Sequence, residues 1–121
     1  MSKSLFINKK INKFNKVIKI EGDKSLSIRC VLLASQAEGK STITNLLKSD
    51  DVLSTIKCLK KLGVKINQSR NAYEIFGLGL NKFKYKKNLT LDAGNSGTLG
   101  RLIMGLLVHS DKKIKIIGDE S

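Results

Sequence analysis

Lys24, Ser25 and Arg29 are the residues of this sequence best placed to do chemistry. They lie in the stretch 22–29 (GDKSLSIR), where Gly22-Asp23 separates a strand-like run from a helical pattern. The mouth of a helix presents unpaired amides and the positive end of the helix dipole, so a phosphate or carboxylate is favoured there. Lys24 adds an ammonium and Ser25 a hydroxyl. Arg29, four residues past Ser25, adds a guanidinium one turn along on the same face. Together they could hold an anion, although a plain capped helix with solvated Lys24 and Arg29 would have the same sequence. A second stretch, 94–101 (GNSGTLGR), repeats the frame, again with an arginine seven residues after its glycine. Here Asn95 offers amide donors and an acceptor, and Gly97 would let a ligand approach the backbone closely. Arg101 stands among Leu99, Leu102 and Ile103, so it is expected to be structural and to need a carboxylate or backbone partner. His109 reads as a solvated residue at a helix end.

A third stretch, 34–41 (ASQAEGKS), imitates a nucleotide-binding loop. Such a loop needs a strand before it and a helix after it, so that helix amides point at phosphate. Here a helix precedes and a strand follows, which excludes ATP at this position.

The elements that must position these residues follow from periodicity. Residues 5–7 and 16–20 read as short strands. From Leu26 the apolar positions Leu26, Cys30, Leu33, Ala34 and Ala37 mark one face of a helix that ends at Gly39. Arg29 lies off that stripe. Residues 41–46 form a strand. Ser49 or Asp50 caps a second helix with Val52, Ile56 and Leu59 inward and Lys57, Lys60 and Lys61 in water, and Gly63 stops it. Strands 64–66 and 73–76 flank the polar turn 68–71, and a lysine-rich loop, 81–88, leads to strand 89–92. A third helix, 99–108, is apolar almost all round and should be buried on most sides, and 114–117 closes as a strand. The class is α/β or α+β, with a repeated βαβαββ unit of which one full and one partial copy are present.

Composition narrows the function further. The 121 residues are 40% hydrophobic and 27% charged, which is globular, and no apolar run approaches the roughly 20 residues of a spanning helix. No leader opens the chain, so membrane insertion and secretion are not expected. Cys30 and Cys58 lie in apolar helical patterns without metal-ligand spacing and read as buried, reduced thiols of a cytoplasmic protein. The net charge of +13 invites a nucleic-acid reading, yet only three of the 23 basic residues are arginines. Lysine with abundant asparagine and isoleucine reflects AT-rich codons, and aromatics at 5% are not interleaved with the basic residues, so no nucleic-acid partner is expected.

The stretches GDKSLSIR, LLKSDDV (46–52), KKLGVKI (60–66) and LDAGNSGTLGR (91–101) occur in order over residues 18–118. They resemble the N-terminal part of the 3-phosphoshikimate 1-carboxyvinyltransferases, the 5-enolpyruvylshikimate-3-phosphate (EPSP) synthase family. Ile28 departs from the histidine usual there, and Gly100 stands where a larger residue is commoner. The resemblance implies the enolpyruvyl transferase fold, two domains of three βαβαββ units each with the active site between them. Residues 1–21 would then belong to the other, C-terminal domain, and residues 22–121 to part of the N-terminal substrate-binding domain. It also implies that Lys24, Ser25 and Arg29 bind 3-phosphoshikimate. Lys24, catalytic as well, would reach phosphoenolpyruvate together with Asn95 and Gly97, in a pocket that also admits the herbicide glyphosate. No cofactor and no metal are implied, and the full-length enzyme is expected to be a monomer of the shikimate pathway leading to chorismate and aromatic amino acids. The family's acid/base aspartate, glutamate and lysine and a phosphoenolpyruvate-binding arginine have no counterpart in these 121 residues, so the chain is expected to be a fragment inactive alone. An alternative within the fold, the transferase acting on UDP-N-acetylglucosamine, fits less well. That family carries a cysteine-bearing loop after the strand ending near Gly118, and here no cysteine follows Cys58. A basic anion- or RNA-binding module is the alternative of another class.

Overall fold

The computed structural model describes residues 20–120 and, before them, residues 4, 6, 8, 15, 17 and 18. Most of the strands expected at 5–7 and 16–20 lie outside the described residues. The described chain runs α1 (Lys24–Gln36), β1 (Glu38–Thr44), α2 (Asp50–Lys61), β2 (Lys65–Gln68), β3 (Ala72–Leu78), β4 (Leu89–Asp92), α3 (Gly97–Leu106) and β5 (Ile114–Ile117). β1, β3 and β2 form an antiparallel sheet in that order, while β4 and β5 pair in parallel, with α3 as their crossover. The nucleotide-loop imitation is thereby resolved: its Lys40 lies in β1 and bonds Glu74 of β3 at 2.9 Å.

Each helix starts at a side-chain cap that satisfies one of its orphan amides. Asp23 Oδ1 accepts from Leu26 N at 2.7 Å, Ser49 Oγ from Val52 N at 3.5 Å, and Ser96 Oγ from Leu99 N at 3.2 Å. α2 matches its reading closely, with Val52, Ile56 and Leu59 buried, Asp50 and Asp51 in its first turn and Lys60 and Lys61 in its last.

α1 turns the other way. Its buried residues are Ser27, Ile28, Val31, Leu32, Ala34 and Ser35, so of the predicted stripe only Ala34 faces the core. The helix is apolar on both sides, and packing against α2, β3 and β1 selects the Ile28-Val31-Leu32 side. Leu26 and Leu33 are exposed, and so is Cys30, contrary to the reading of two buried thiols. The helix also stops at Gln36, and Gly39 is part of β1 at φ +90. α3 likewise buries only Leu99 and Ile103, short of the enclosure its composition suggests. Cys58 is buried as expected; its Sγ donates to Asp92 O at 3.2 Å, and burial pushes its thiol pKa up against the opposing pull of Lys61. The core joins these α1 residues to Val52, Ile56 and Leu59, to Ile66, Tyr73 and Ile75 of the sheet, and to Leu91, Leu99 and Ile103.

Candidate active site

The segment leading into α1 is fixed by close packing. A Cβ on Gly22 would lie 2.2 Å from Asn45 O, so only glycine lets residues 20–23 cross the backbone that follows β1. Ser27 Oγ, buried one turn into α1, accepts from Leu47 N at 3.0 Å and secures the same crossing. The N-termini of α1 and α2 are thereby brought side by side.

Across that junction Lys24 Nζ stands 3.1 Å from Asp51 Oδ2, with the lysine side chain half exposed and the aspartate largely covered. Ser25 is half-buried beside it, and Arg29 is exposed one turn further. Among the described residues no carboxylate lies in ion-pairing distance of Arg29, so its guanidinium is open to a ligand. The α1 mouth is capped by a carboxylate, Asp23, so any anion there would depend on the side chains of Lys24 and Arg29 more than on the helix end itself.

The second frame is built at the carboxyl ends of the parallel pair β4 and β5, where open α/β sheets bind ligands. Gly94 takes φ +55, and its N–H donates to Asp92 Oδ1 at 2.8 Å. Gly94 O accepts from Asp119 N at 3.1 Å, which ties the loop to the end of β5. Ser96, buried, caps α3, leaving Asn95 and Gly97 exposed on either side of it. A cavity of about 510 Å³ opens here, lined by Asn95, Ser96, Gly97, Gly100, Gly118 and Asp119 among others.

Arg101 is not the buried structural residue expected from its neighbours. It is exposed, and its guanidinium folds back toward Gly97, 3.8 Å from where a Cβ would stand. It thus adds a positive charge to the α3 mouth. His109 is exposed, as read.

The two frames meet on the first turns of α2. Asp51 holds Lys24, and Ser54 Oγ, three residues on, lies 3.3 Å from a Cβ built on Gly94. Asp51 and Ser54 escape a reading of residue types, because acids and serines in a first helical turn are ordinary.

Cationic side chains thus stand near the starts of α1 (Lys24, Arg29) and α3 (Arg101), and the turn before α3 opens onto the cavity at the carboxyl ends of β4 and β5. The sequence profile described as EPSP synthase (3-phosphoshikimate 1-carboxyvinyltransferase) matches residues 8–121. A 3-phosphoshikimate 1-carboxyvinyltransferase of Bacillus cytotoxicus is 48% identical over 107 residues, covering 88% of this chain and 25% of the relative. The enzyme of that name from Ruthia magnifica is 43% identical over 119 residues, covering 98% and 27% respectively. The solved structure of EPSP synthase from Acinetobacter baumannii superposes with a TM-score of 0.74 at 34% identity, covering 86% of this chain and 24% of that one. The chain belongs to the EPSP synthase family, and it spans about a quarter of the length of these relatives.

Proposed function

We propose that this chain forms one wall of an enolpyruvyl transferase cleft, the wall that holds 3-phosphoshikimate and part of phosphoenolpyruvate. In that reaction the 5-hydroxyl of 3-phosphoshikimate adds to the substituted carbon of the enol double bond while the methylene carbon is protonated. Phosphate then leaves the tetrahedral intermediate and the enolpyruvyl ether remains. Both substrates are highly anionic, and bringing them together costs repulsion that cations must offset. Each close opposite-charge pair contributes up to about 4 kcal/mol at an effective dielectric near 20.

Arg29 and Ser25 take 3-phosphoshikimate, Asn95 and Gly97 line the phosphoenolpyruvate side, and Lys24 stands between the two. The observation that carries this reading is the braced lysine: Asp51 fixes Lys24 on α2, beside the turn where the Gly94 loop abuts Ser54. The acid/base groups and the rest of the cleft belong to the length that the relatives have beyond this match. In the same reading residues 1–21 belong to the other domain, the complete enzyme is a monomer, and the reaction takes place in the cytoplasm. No helix among the described residues is long and apolar enough to cross a membrane, which is compatible with that location.

The test is a chimera in which this chain replaces the matching quarter of the Bacillus cytotoxicus enzyme. Arg29→Ala should weaken 3-phosphoshikimate by about 10- to 150-fold, the equivalent of a lost charged hydrogen bond, and leave phosphoenolpyruvate nearly untouched. Unchanged 3-phosphoshikimate affinity by calorimetry would remove the assignment of this helix face.

A further inference from the structure

β4 pairs with β5 on one side, and no strand among the described residues pairs with it on the other. Peptide groups alternate along a strand, so Leu89, Leu91 and Ala93 turn theirs toward β5 while the carbonyls of Thr90 and Asp92 turn to the open edge. α2 meets that edge with side chains in place of a strand. Cys58 Sγ donates to Asp92 O at 3.2 Å, and Lys61 Nζ donates to Thr90 O at 3.0 Å. Ser54, one turn before Cys58, stands against Gly94. Positions 54, 58 and 61 fall on one stripe of the helix, which therefore follows β4 from Thr90 to the turn beyond Asp92.

Cys58 is the member of this stripe with the least access to water. Ser54 is half-buried and Lys61 exposed, whereas Cys58 is 2% exposed. Burial favours the neutral thiol, although Lys61 pulls the other way, so the S–H that Asp92 O accepts is retained. The carbonyl that Cys58 holds belongs to the residue whose carboxylate fixes the next turn. Asp92 Oδ1 accepts from Gly94 N at 2.8 Å, and Ser96 N donates to Ala93 O at 3.0 Å. A short run of bonds thus leads from the middle of α2 to Ser96, with Asn95 and Gly97 on either side of it.

We infer that Cys58 is a positioning residue for phosphoenolpyruvate: by holding the carbonyl of Asp92 at the open edge of β4, it sets the turn that carries Asn95 and Gly97. The inference rests on the proposed function above, which puts phosphoenolpyruvate at Asn95 and Gly97. Cys58 lies behind the turn and acts through Asp92. A thiol that served stability alone would affect both substrates alike.

The test uses the chimera already described. Cys58→Val keeps the apolar volume, removes the donor, and fills the space into which water could enter from the adjoining cavity of about 380 Å³. Cys58→Ser restores a donor. Cys58→Val should raise the KM for phosphoenolpyruvate and the inhibition constant of glyphosate by about 3- to 10-fold, the loss of one net hydrogen bond, with 3-phosphoshikimate affinity unchanged. Cys58→Ser should return both constants toward those of the parent. In hydrogen exchange without substrate, the amides of residues 93–97 should exchange faster in Cys58→Val and at the parental rate in Cys58→Ser. Should Cys58→Val not fold, Cys58→Ala removes the same donor and is read by the same exchange. Asn95→Ala checks the site itself: an unchanged KM for phosphoenolpyruvate there removes that side of the proposed function and this inference with it. A raised KM in Asn95→Ala beside an unchanged one in Cys58→Val overturns the inference alone. So do equal losses for both substrates with a lowered melting temperature in Cys58→Val, unaltered exchange over residues 93–97, and a Cys58→Ser variant that recovers nothing.

Discussion

A methyl group added at Gly97 separates two roles that a glycine at a ligand-lined helix mouth can have. Were Gly97 needed for a left-handed backbone, alanine would strain the turn and lower stability and binding together. The structure removes that possibility: Gly94 and not Gly97 carries the positive φ of this turn. A Cβ on Gly97 meets only the Arg101 guanidinium, at 3.8–3.9 Å, which is ordinary contact. The folded state therefore accepts alanine, and the smaller conformational entropy of the unfolded chain should make the variant more stable by about 0.4–1 kcal/mol. The same methyl projects beside the cavity of about 510 Å³ and displaces whatever lies against the backbone there. Glyphosate is longer than phosphoenolpyruvate and should meet it first. If overpacking by one methyl costs about 1–3 kcal/mol, glyphosate inhibition weakens by about 5- to 150-fold, with a smaller rise in the KM for phosphoenolpyruvate. The assay is the chimera described above, with inhibition constants, Michaelis constants and melting temperature measured for Gly97 and Gly97→Ala in parallel. A lowered melting temperature with equal losses for both ligands would refute the close-approach argument.

The brace on Lys24 should be worth little to folding and much to binding. Asp51→Asn is expected to change stability by less than about 1 kcal/mol, since the lysine is half exposed, yet to weaken both substrates; denaturant titration beside steady-state kinetics checks it. Gly22→Ala should be the reverse, destabilising by about 1–3 kcal/mol because its Cβ meets backbone at 2.2 Å, whereas Gly105→Ala, with nothing within 4 Å, should be neutral or stabilising in the same titration. The Lys40 hydrogen bond holds the Glu74 carboxyl below its usual range. Its contribution to the β1–β3 pairing is thus present above the unfolded carboxylate pKa and lost as pH falls through the lower, folded value. Glu74→Gln should accordingly flatten the acid side of a denaturation midpoint measured from about pH 7 downward, and an unchanged acid limb would contradict the sign.

The parts of the fold legible in the sequence are those where one physical signal has no competitor. α2 has apolar residues at 52, 56 and 59 against lysines at 57, 60 and 61, so its orientation is decided before any tertiary contact. β4 and β5 lie at 89–92 and 114–117 as read, because each is a short β-prone run bounded by polar residues. α1 holds two candidate apolar stripes, and periodicity cannot rank them; contact with β3 and β1 does. β1 begins at Glu38 and not at residue 41 because β3 extends to Leu78 and offers ladder partners that far, while Asn45 at φ 55 ends it. A glycine that reads as a helix stop, Gly39, is accommodated in the ladder opposite Gly77.

The site divides along the same line. Lys24, Ser25, Arg29, Asn95 and Gly97 announce themselves because cations, hydroxyls and glycines beside a helix start are a local pattern. What sets their relation is not local. Asp51 reaches Lys24 only because Gly22 permits the crossing at Asn45, and Ser54 reaches the Gly94 loop only because β4 packs along α2. Arg101 shows the limit of neighbour-based reasoning: flanked by leucine and isoleucine, it reads as buried, yet the helix rotation that buries Leu99 and Ile103 turns it outward over Gly97. That rotation also exposes Met104 and Val108, so the turn of the helix that brings Arg101 over Gly97 is the same turn that leaves an apolar side uncovered.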